Sequence, residues 1–309
     1  MPDVVQMFGH LPVYTTNIPK EADNFRKRFI ETAKERDGSI NPVKTISASS
    51  KEASTWVKQK ATELGAEIVK ITTVNKDYLY KDRELSHTHC ICIAIHMNFD
   101  EMKLAPSPEA FVEVLRVYDV VGRTAVNLAK QMRSLGYSAR AHTVRGEDII
   151  MIPHAVQAGV GELGKHGSII TPEFGSCIRL GAVTTDLPLM TDDPPTLGFD
   201  DFCQSCSLCV RHCPGDAIKA DKEIVRGEVR WIVNTEKCAP YFAANWGCEI
   251  CLKVCALNSK ASDHIIKQAF LETIRKLPDH KSREDSVTML LERWKETGLE
   301  PSVKPPNKI

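Results

Sequence analysis

Apolar residues recur along this chain with two periods, and the period distinguishes helices from strands. Between Pro106 and Leu135, Val114, Val117, Val121, Leu128, Met132 and Leu135 keep helical spacing, predicting one long amphipathic helix that ends at Gly136. Shorter helices are predicted near Glu21 to Arg36, from Ser50 to Gly65 (Ser50 as N-cap, Gly65 as stop) and from Ile152 to Ala158. Apolar and β-branched runs predict strands at 66–74 (AEIVKITTV), 89–97 (HCICIAIHM), 168–171 and 178–187, and YSARAHT reads as a further short strand.

The strand–helix alternation then stops. DLPLMTDDPPTLGFDD is rich in proline and aspartate, which places a domain boundary near residues 188 to 200. A cysteine-rich segment occupies about 200–258, two helical patterns follow around 262–276 and 284–297, and the polar tail PSVKPPNKI is expected to fray. The order of elements gives an α/β (α+β) fold with a small module appended.

The chain has 309 residues, 42% of them hydrophobic, enough for one large core or two ordinary ones. Forty basic and forty acidic side chains cancel, which argues against a chain built to coat nucleic acid. No apolar run is long enough to span a membrane. The first residues, MPDVVQMFGHLPVY, show neither a signal peptide nor a twin arginine, so the expected location is cytoplasmic.

Cysteine changes the picture most. Eight of the eleven cysteines lie between 203 and 255. The first group, Cys203, Cys206, Cys209 and Cys213 followed by Pro214, is C-x2-C-x2-C-x3-C-P; the second is Cys238, Cys248, Cys251 and Cys255. A 4Fe–4S cluster needs four converging thiolates, and in two-cluster ferredoxins the cysteine before proline serves the other cluster. By that exchange Cys203, Cys206, Cys209 and Cys255 would hold one cluster, and Cys213, Cys238, Cys248 and Cys251 the second. Disulfides fit poorly with a chain of this length lacking an export signal, and zinc sites use paired C-x2-C knuckles. Cys90 and Cys92, two apart in a strand, read as buried small hydrophobes, and Cys177 as a packing residue.

Two clusters carry electrons without choosing a substrate, and about 200 residues precede them, more than an electron carrier needs. The densest signal there is residues 159–189, where Gly159, Gly161, Gly164, Gly167, Gly175 and Gly181 mark tight turns or backbone approach to something bulky. Neither a P-loop nor a dinucleotide fingerprint is present. The run Ala158–Gly167, then Ile170-Thr171-Pro172-Glu173-Phe174-Gly175, then Leu180 to Leu189, resembles the cobalamin-binding core shared by reductive dehalogenases and epoxyqueuosine reductases. That resemblance covers roughly residues 66 to 258. It implies a nitroreductase-like core holding base-off cobalamin, with Gly159, Gly161, Gly164, Lys165, Gly167, Thr171, Pro172, Glu173, Phe174 and Gly175 as cofactor-binding residues. The implied domains are an N-terminal helical and irregular segment (1–65), the cobalamin core (66–195), a two-cluster ferredoxin-like module (196–260) and a C-terminal helical tail (261–309).

Two positions resemble the dehalogenase side. Arg179-Leu180 follows the PEFG segment, where that family carries a basic residue, and Tyr118 stands eighteen residues before Gly136, where it carries its catalytic tyrosine. The resemblance implies reductive carbon–halogen cleavage at cobalt, protonation by Tyr118 and phenolate stabilisation by Arg179. By spacing alone Tyr118 is a core residue beside Val114 and Val121, and Arg179 an ion-pair residue with Glu173 as partner.

Epoxyqueuosine reductases resemble the chain less closely. Their catalytic aspartate has only Glu147 and Asp148 as loose matches, and no long tRNA-holding repeat follows the clusters. Deoxygenation of a modified nucleoside or other small molecule is the alternative, and a non-catalytic electron-transfer subunit the second. The loop at 144–148 departs from many dehalogenases, which would turn His142, Arg145 and Glu147 toward a polar or anionic substrate. A ferredoxin- or flavodoxin-like donor is implied. Nitroreductase relatives often form homodimers, although no sequence feature demands one.

Overall fold

The computed structural model describes residues 18–44, 49–144, 146–225, 227–258 and 265–296. Two helices open it, α1 (Lys20–Ala33) and α2 (Ser50–Glu63), followed by β1 (Ile68–Thr73), β2 (His89–His96), the single turn α3 (Phe99–Met102) and the long α4 (Pro108–Ser134). Then come β3 (Ala139–His142), α5 (Met151–Gln157), the short β4 (Glu162–Leu163) and β5 (Ile169–Ile170), and β6 (Ile178–Thr185). The C-terminal part holds α6 (Phe199–Cys206), α7 (Leu208–Arg211), β7 (Glu223–Val225), β8 (Glu228–Arg230), α8 (Thr235–Ala244), α9 (Ile250–Lys253), α10 (Ile265–Glu272) and α11 (His280–Glu296). No helix among the described residues is long and apolar enough to cross a membrane.

One four-stranded sheet, ordered β1-β2-β6-β3, organises the first part, and all its pairings are antiparallel. The mixed fold is therefore of the α+β kind. Strand β2 shows why its run is continuously apolar. Ile91, Ile93 and Ile95 face the core built with α2 and α4, while Cys90, Cys92 and Ala94 face the core built with α5. A strand covered on both faces has no polar side to alternate. Cys90 and Cys92 are buried, with sulfurs 3.9 Å apart.

Local chemistry sets the helix limits. Ser107 caps α4 by accepting from the Ala110 N–H, and Pro108 follows at the first helical position. The stripe Val114, Val117, Val121, Leu128 and Met132 is buried in the main core. Gly136 stops the chain beyond α4 at φ 89°, where a Cβ would meet Val43 O at 2.7 Å. The cap of α2 is Ser49, one residue earlier than expected, because Glu52 closes a reciprocal capping box with it. Helix α1 stops short of Arg36, whose guanidinium binds Asp148. The polar tail lies outside the described residues.

A second core forms around Phe199, Phe202, Trp231, Phe270 and Trp294 and includes Cys203, Cys206, Cys209 and Cys255. Glu162 on β4 ties it to the first part by accepting from the backbone of Leu197 and Phe199. The hairpin of β7 and β8, closed beside left-handed Gly227, is absent from the sequence-based expectations.

Candidate functional site

Helix α6 carries Cys203 and Cys206 in its last turns. Ser207, at φ 51°, breaks the helix so that α7 can bring Cys209 back, and Cys255 arrives just beyond α9. These four cysteines, Lys165, His166, Phe202, Ser207, Leu208 and Leu257 line one small cavity of about 20 Å³. Burial raises the Cys203, Cys206 and Cys209 thiols, Cys206 up to about 12, with Cys255 adding to each.

Cys213, Cys238, Cys248 and Cys251 form a second, more exposed set. Burial raises Cys238, with Cys213 adding to it, and raises Cys248 up to about 11, with Cys238 and Cys213 adding. Cys251 is raised far more, by burial and then by Cys248, Glu249, Cys238 and Cys213. The chain reaches this set through four successive left-handed residues, Trp246, Gly247, Cys248 and Glu249, at φ 51° to 80°. Three of them carry side chains, so the turn is strained. All eleven cysteines are free thiols. Among the described residues no three Cys, His, Asp or Glu side chains are grouped to hold a metal ion.

Glu249 is the residue that sequence reasoning missed. It accepts from Arg179 Nη2, and the Arg179 guanidinium lies over the Tyr118 ring, 5.1 Å from its centroid. Arg179 is thus paired, but with Glu249 between two cysteines and not with Glu173. Glu173 is exposed, and its backbone carbonyl accepts from Lys267. The expected phenolate stabilisation is outweighed. Burial raises the Tyr118 phenol, Arg179 lowers it, and Glu249 and Glu147 act with burial. The Tyr118 phenol is therefore held protonated beyond its ordinary value of 10. Phe29 of α1 meets its ring edge-on, 6.5 Å between centroids.

Three further expectations change. His142 does not face a substrate. It is fully buried, its Nδ1 accepts from the Asp148 N–H, and its Nε2 lies 2.8 Å from Thr184 Oγ1. Burial lowers it to about 3, so it is neutral. Asp148 is held by Arg36, Arg140 and Arg83 and is no free acid. Glu147 does lie within electrostatic reach of Tyr118 and of Tyr80, while Arg145 is outside the described residues.

Lys165 stands at the cysteine cavity, 1% exposed, donating to Ser207 Oγ at 2.9 Å and lying 4.5 Å over the Trp231 ring. The glycines near it face their own chain. A Cβ at Gly161 would meet Ile170 O at 2.1 Å, and one at Gly175 would meet Leu257 O at 2.4 Å. Thr171 closes the PEFG turn by donating to Gly175 O and accepting from the Phe174 N–H, and Phe174 stacks on His96 at 5.1 Å. Pro172 lies within that turn.

No family model matches the chain. A tetrachloroethene reductive dehalogenase of Desulfitobacterium hafniense is 32% identical over 182 residues, 54% of this chain and 32% of the relative. An epoxyqueuosine reductase of Lactococcus garvieae is 29% identical over 147 residues, 45% and 40% of the two chains. The matched region thus spans about a third of the dehalogenase. The solved catabolic reductive dehalogenase NpRdhA superposes with a TM-score of 0.78 at 22% identity, over 88% of this chain and 41% of that one, a likeness of fold. The chain is similar to two kinds of oxidoreductase, reductive dehalogenases and epoxyqueuosine reductases, and closer to the dehalogenases.

Proposed function

We propose that the chain is an iron–sulfur-dependent reductase of the reductive dehalogenase type. One observation carries this reading: Glu249, set between Cys248 and Cys251, holds the arginine that lies over Tyr118. A thiol set suited to storing electrons and a half-buried phenol are thereby joined through a single ion pair. The net reaction is R–X + 2e⁻ + H⁺ → R–H + X⁻, with X a halide.

Two 4Fe–4S clusters suit the two thiol sets. Buried, mutually repelling thiols resist ionisation, and iron is what draws their protons away. Cys203, Cys206, Cys209 and Cys255 would hold one cluster, and Cys213, Cys238, Cys248 and Cys251 the other. When bound, the clusters supply electrons one at a time, received from a ferredoxin- or flavodoxin-like donor.

Base-off cobalamin belongs to this reading through the likeness to the dehalogenases. The space a Cβ would take at the glycines expected to cradle it is filled by the chain's own atoms, so they provide no independent fit. Nor do they support the nitroreductase-like description of the core.

Tyr118 delivers the proton to the carbon that loses the halide. Burial keeps the phenol protonated at working pH, and Arg179 steadies the phenolate left behind. Glu249 fixes Arg179 in place, and Phe29 packs edge-on against the Tyr118 ring. The test is anaerobic reconstitution with iron, sulfide and added corrinoid, followed by assay of halide release from a panel of organohalides. Retained corrinoid with halide release is the expected result. Loaded clusters without retained corrinoid would leave an electron-transfer subunit.

A further inference from the structure

Cys203, Cys206, Cys209 and Cys255 share their cavity with two consecutive residues, Lys165 and His166, neither of which is a cluster ligand in the proposed reading. Lys165 is fully buried, and among the described residues its ammonium donates only to the Ser207 hydroxyl and, at 3.4 Å, to the Gln204 carbonyl. No carboxylate among the described residues forms an ion pair with it. Asp221 acts on it without forming an ion pair, and a buried cation with no contacting anion is costly, so such a site implies further negative charge close by.

His166 supplies the second observation. Its Nδ1 accepts from the Ser168 N–H at 3.1 Å, which places the proton of the neutral ring on Nε2. That Nε2 is buried and has no hydrogen-bond partner among the described residues. The ring's position is also written into the glycine run, because a Cβ at Gly164 would stand 2.7 Å from His166 Cε1 and 3.0 Å from Nε2. Gly164 leaves room for an imidazole whose free donor belongs to the wall of the cysteine cavity.

A 4Fe–4S cluster held by four thiolates carries net negative charge that grows on reduction, and its sulfurs accept hydrogen bonds. Charge and hydrogen bonds to sulfur set its potential. We infer that Lys165 and His166 are positioning residues for the cluster in this cavity, the first as its counter-charge and the second as a hydrogen-bond donor to sulfur, and that together they favour its reduced state. This rests on the iron–sulfur reading of the four cysteines.

The test uses the full chain reconstituted with iron and sulfide, with iron assayed and each cluster followed by electron paramagnetic resonance during a mediated redox titration. Lys165→Met and His166→Phe remove the charge and the donor, while Lys165→Arg and His166→Gln keep them. At the wild-type midpoint, the reduced-to-oxidised ratio of the first cluster should fall about tenfold in Lys165→Met and in His166→Phe, about 59 mV for one electron. The conservative variants should stay near wild type, and the second cluster should not move.

Full iron with an unmoved first cluster, or equal movement of both clusters, would overturn the inference. Where Met or Phe prevents loading, loading in Arg and Gln supports it; failure of all four marks the pair as merely structural and overturns it. A wild-type chain whose iron and spectrum are unchanged by Cys203→Ala would instead sink the cluster reading itself.

Discussion

The two thiol sets share a ligand chemistry but not an environment. Cys203, Cys206, Cys209 and Cys255 are 7 to 9% exposed and face a lysine and a histidine donor. Cys213, Cys238, Cys248 and Cys251 are all half-buried, and the Glu249 carboxylate, itself paired with Arg179, acts on both Cys248 and Cys251. A cation beside one cluster, with no ion-pair partner among the described residues, and an ion-paired carboxylate beside the other should separate their potentials, with the more exposed one lower. Electrons entering at the exposed set would then run downhill to the buried one. Cys209 and Cys251 lie within electrostatic reach of each other, which puts the sets in sequence.

The largest expected effect comes from deleting one set alone. Cys209→Ala should abolish turnover and remove the first cluster's signal while the second persists, as read by iron content and resonance spectra. Loss of both signals together would collapse the distinction between the sets. Next, Tyr118→Phe should leave both clusters and any corrinoid in place and lower turnover by about 10²–10⁴-fold, the usual worth of a positioned acid. Full activity in that variant would remove Tyr118 from the chemistry.

Glu249→Gln probes the anionic side. It should make the second cluster easier to reduce, raising its reduced-to-oxidised ratio by about tenfold at a fixed potential, a step of 59 mV for one electron. The first cluster should move less, and an equal shift of both would contradict the asymmetry. The smallest effect concerns stability in acid. His142 is held neutral by burial at about 3, against 6.5 when exposed. The unfolded chain therefore binds the extra proton first, and this contribution to stability is present above 6.5 and lost as pH falls toward 3. Denaturant melts of His142→Gln should show a flatter pH dependence across that window.

Much of this was legible in the sequence. Periodicity located α4, β2 and β6, because their burial is dictated by apolar spacing within each segment. The division of cysteines into two sets followed from their spacing, and Cys203, Cys206, Cys209 and Cys255 share the lining of one cavity. Tyr118 and Arg179 were found only through the resemblance, since their spacing reads as core and ion pair.

What stayed hidden depends on contacts between distant segments. Glu249 meets Arg179 across 70 positions, and a left-handed glutamate leaves no mark in composition. Lys165 was assigned to the corrinoid because its motif is contiguous with the glycines, yet the fold turns it toward Cys203. His142 looked like a substrate-facing residue, but Thr184 and the Asp148 backbone, both remote or across a turn, hold it inside. The hairpin of β7 and β8 is too short and too polar to announce itself by pattern.

Cys255 offers the most direct test of the central claim, since it belongs by sequence to the second cysteine group and by position to the first cavity. Redox-titrated paramagnetic resonance of reconstituted Cys255→Ala, beside Cys203→Ala and Cys248→Ala, decides between the two. The account predicts that Cys255→Ala removes the same cluster signal as Cys203→Ala and leaves the one that Cys248→Ala removes. Loss of the Cys248 signal instead would contradict it.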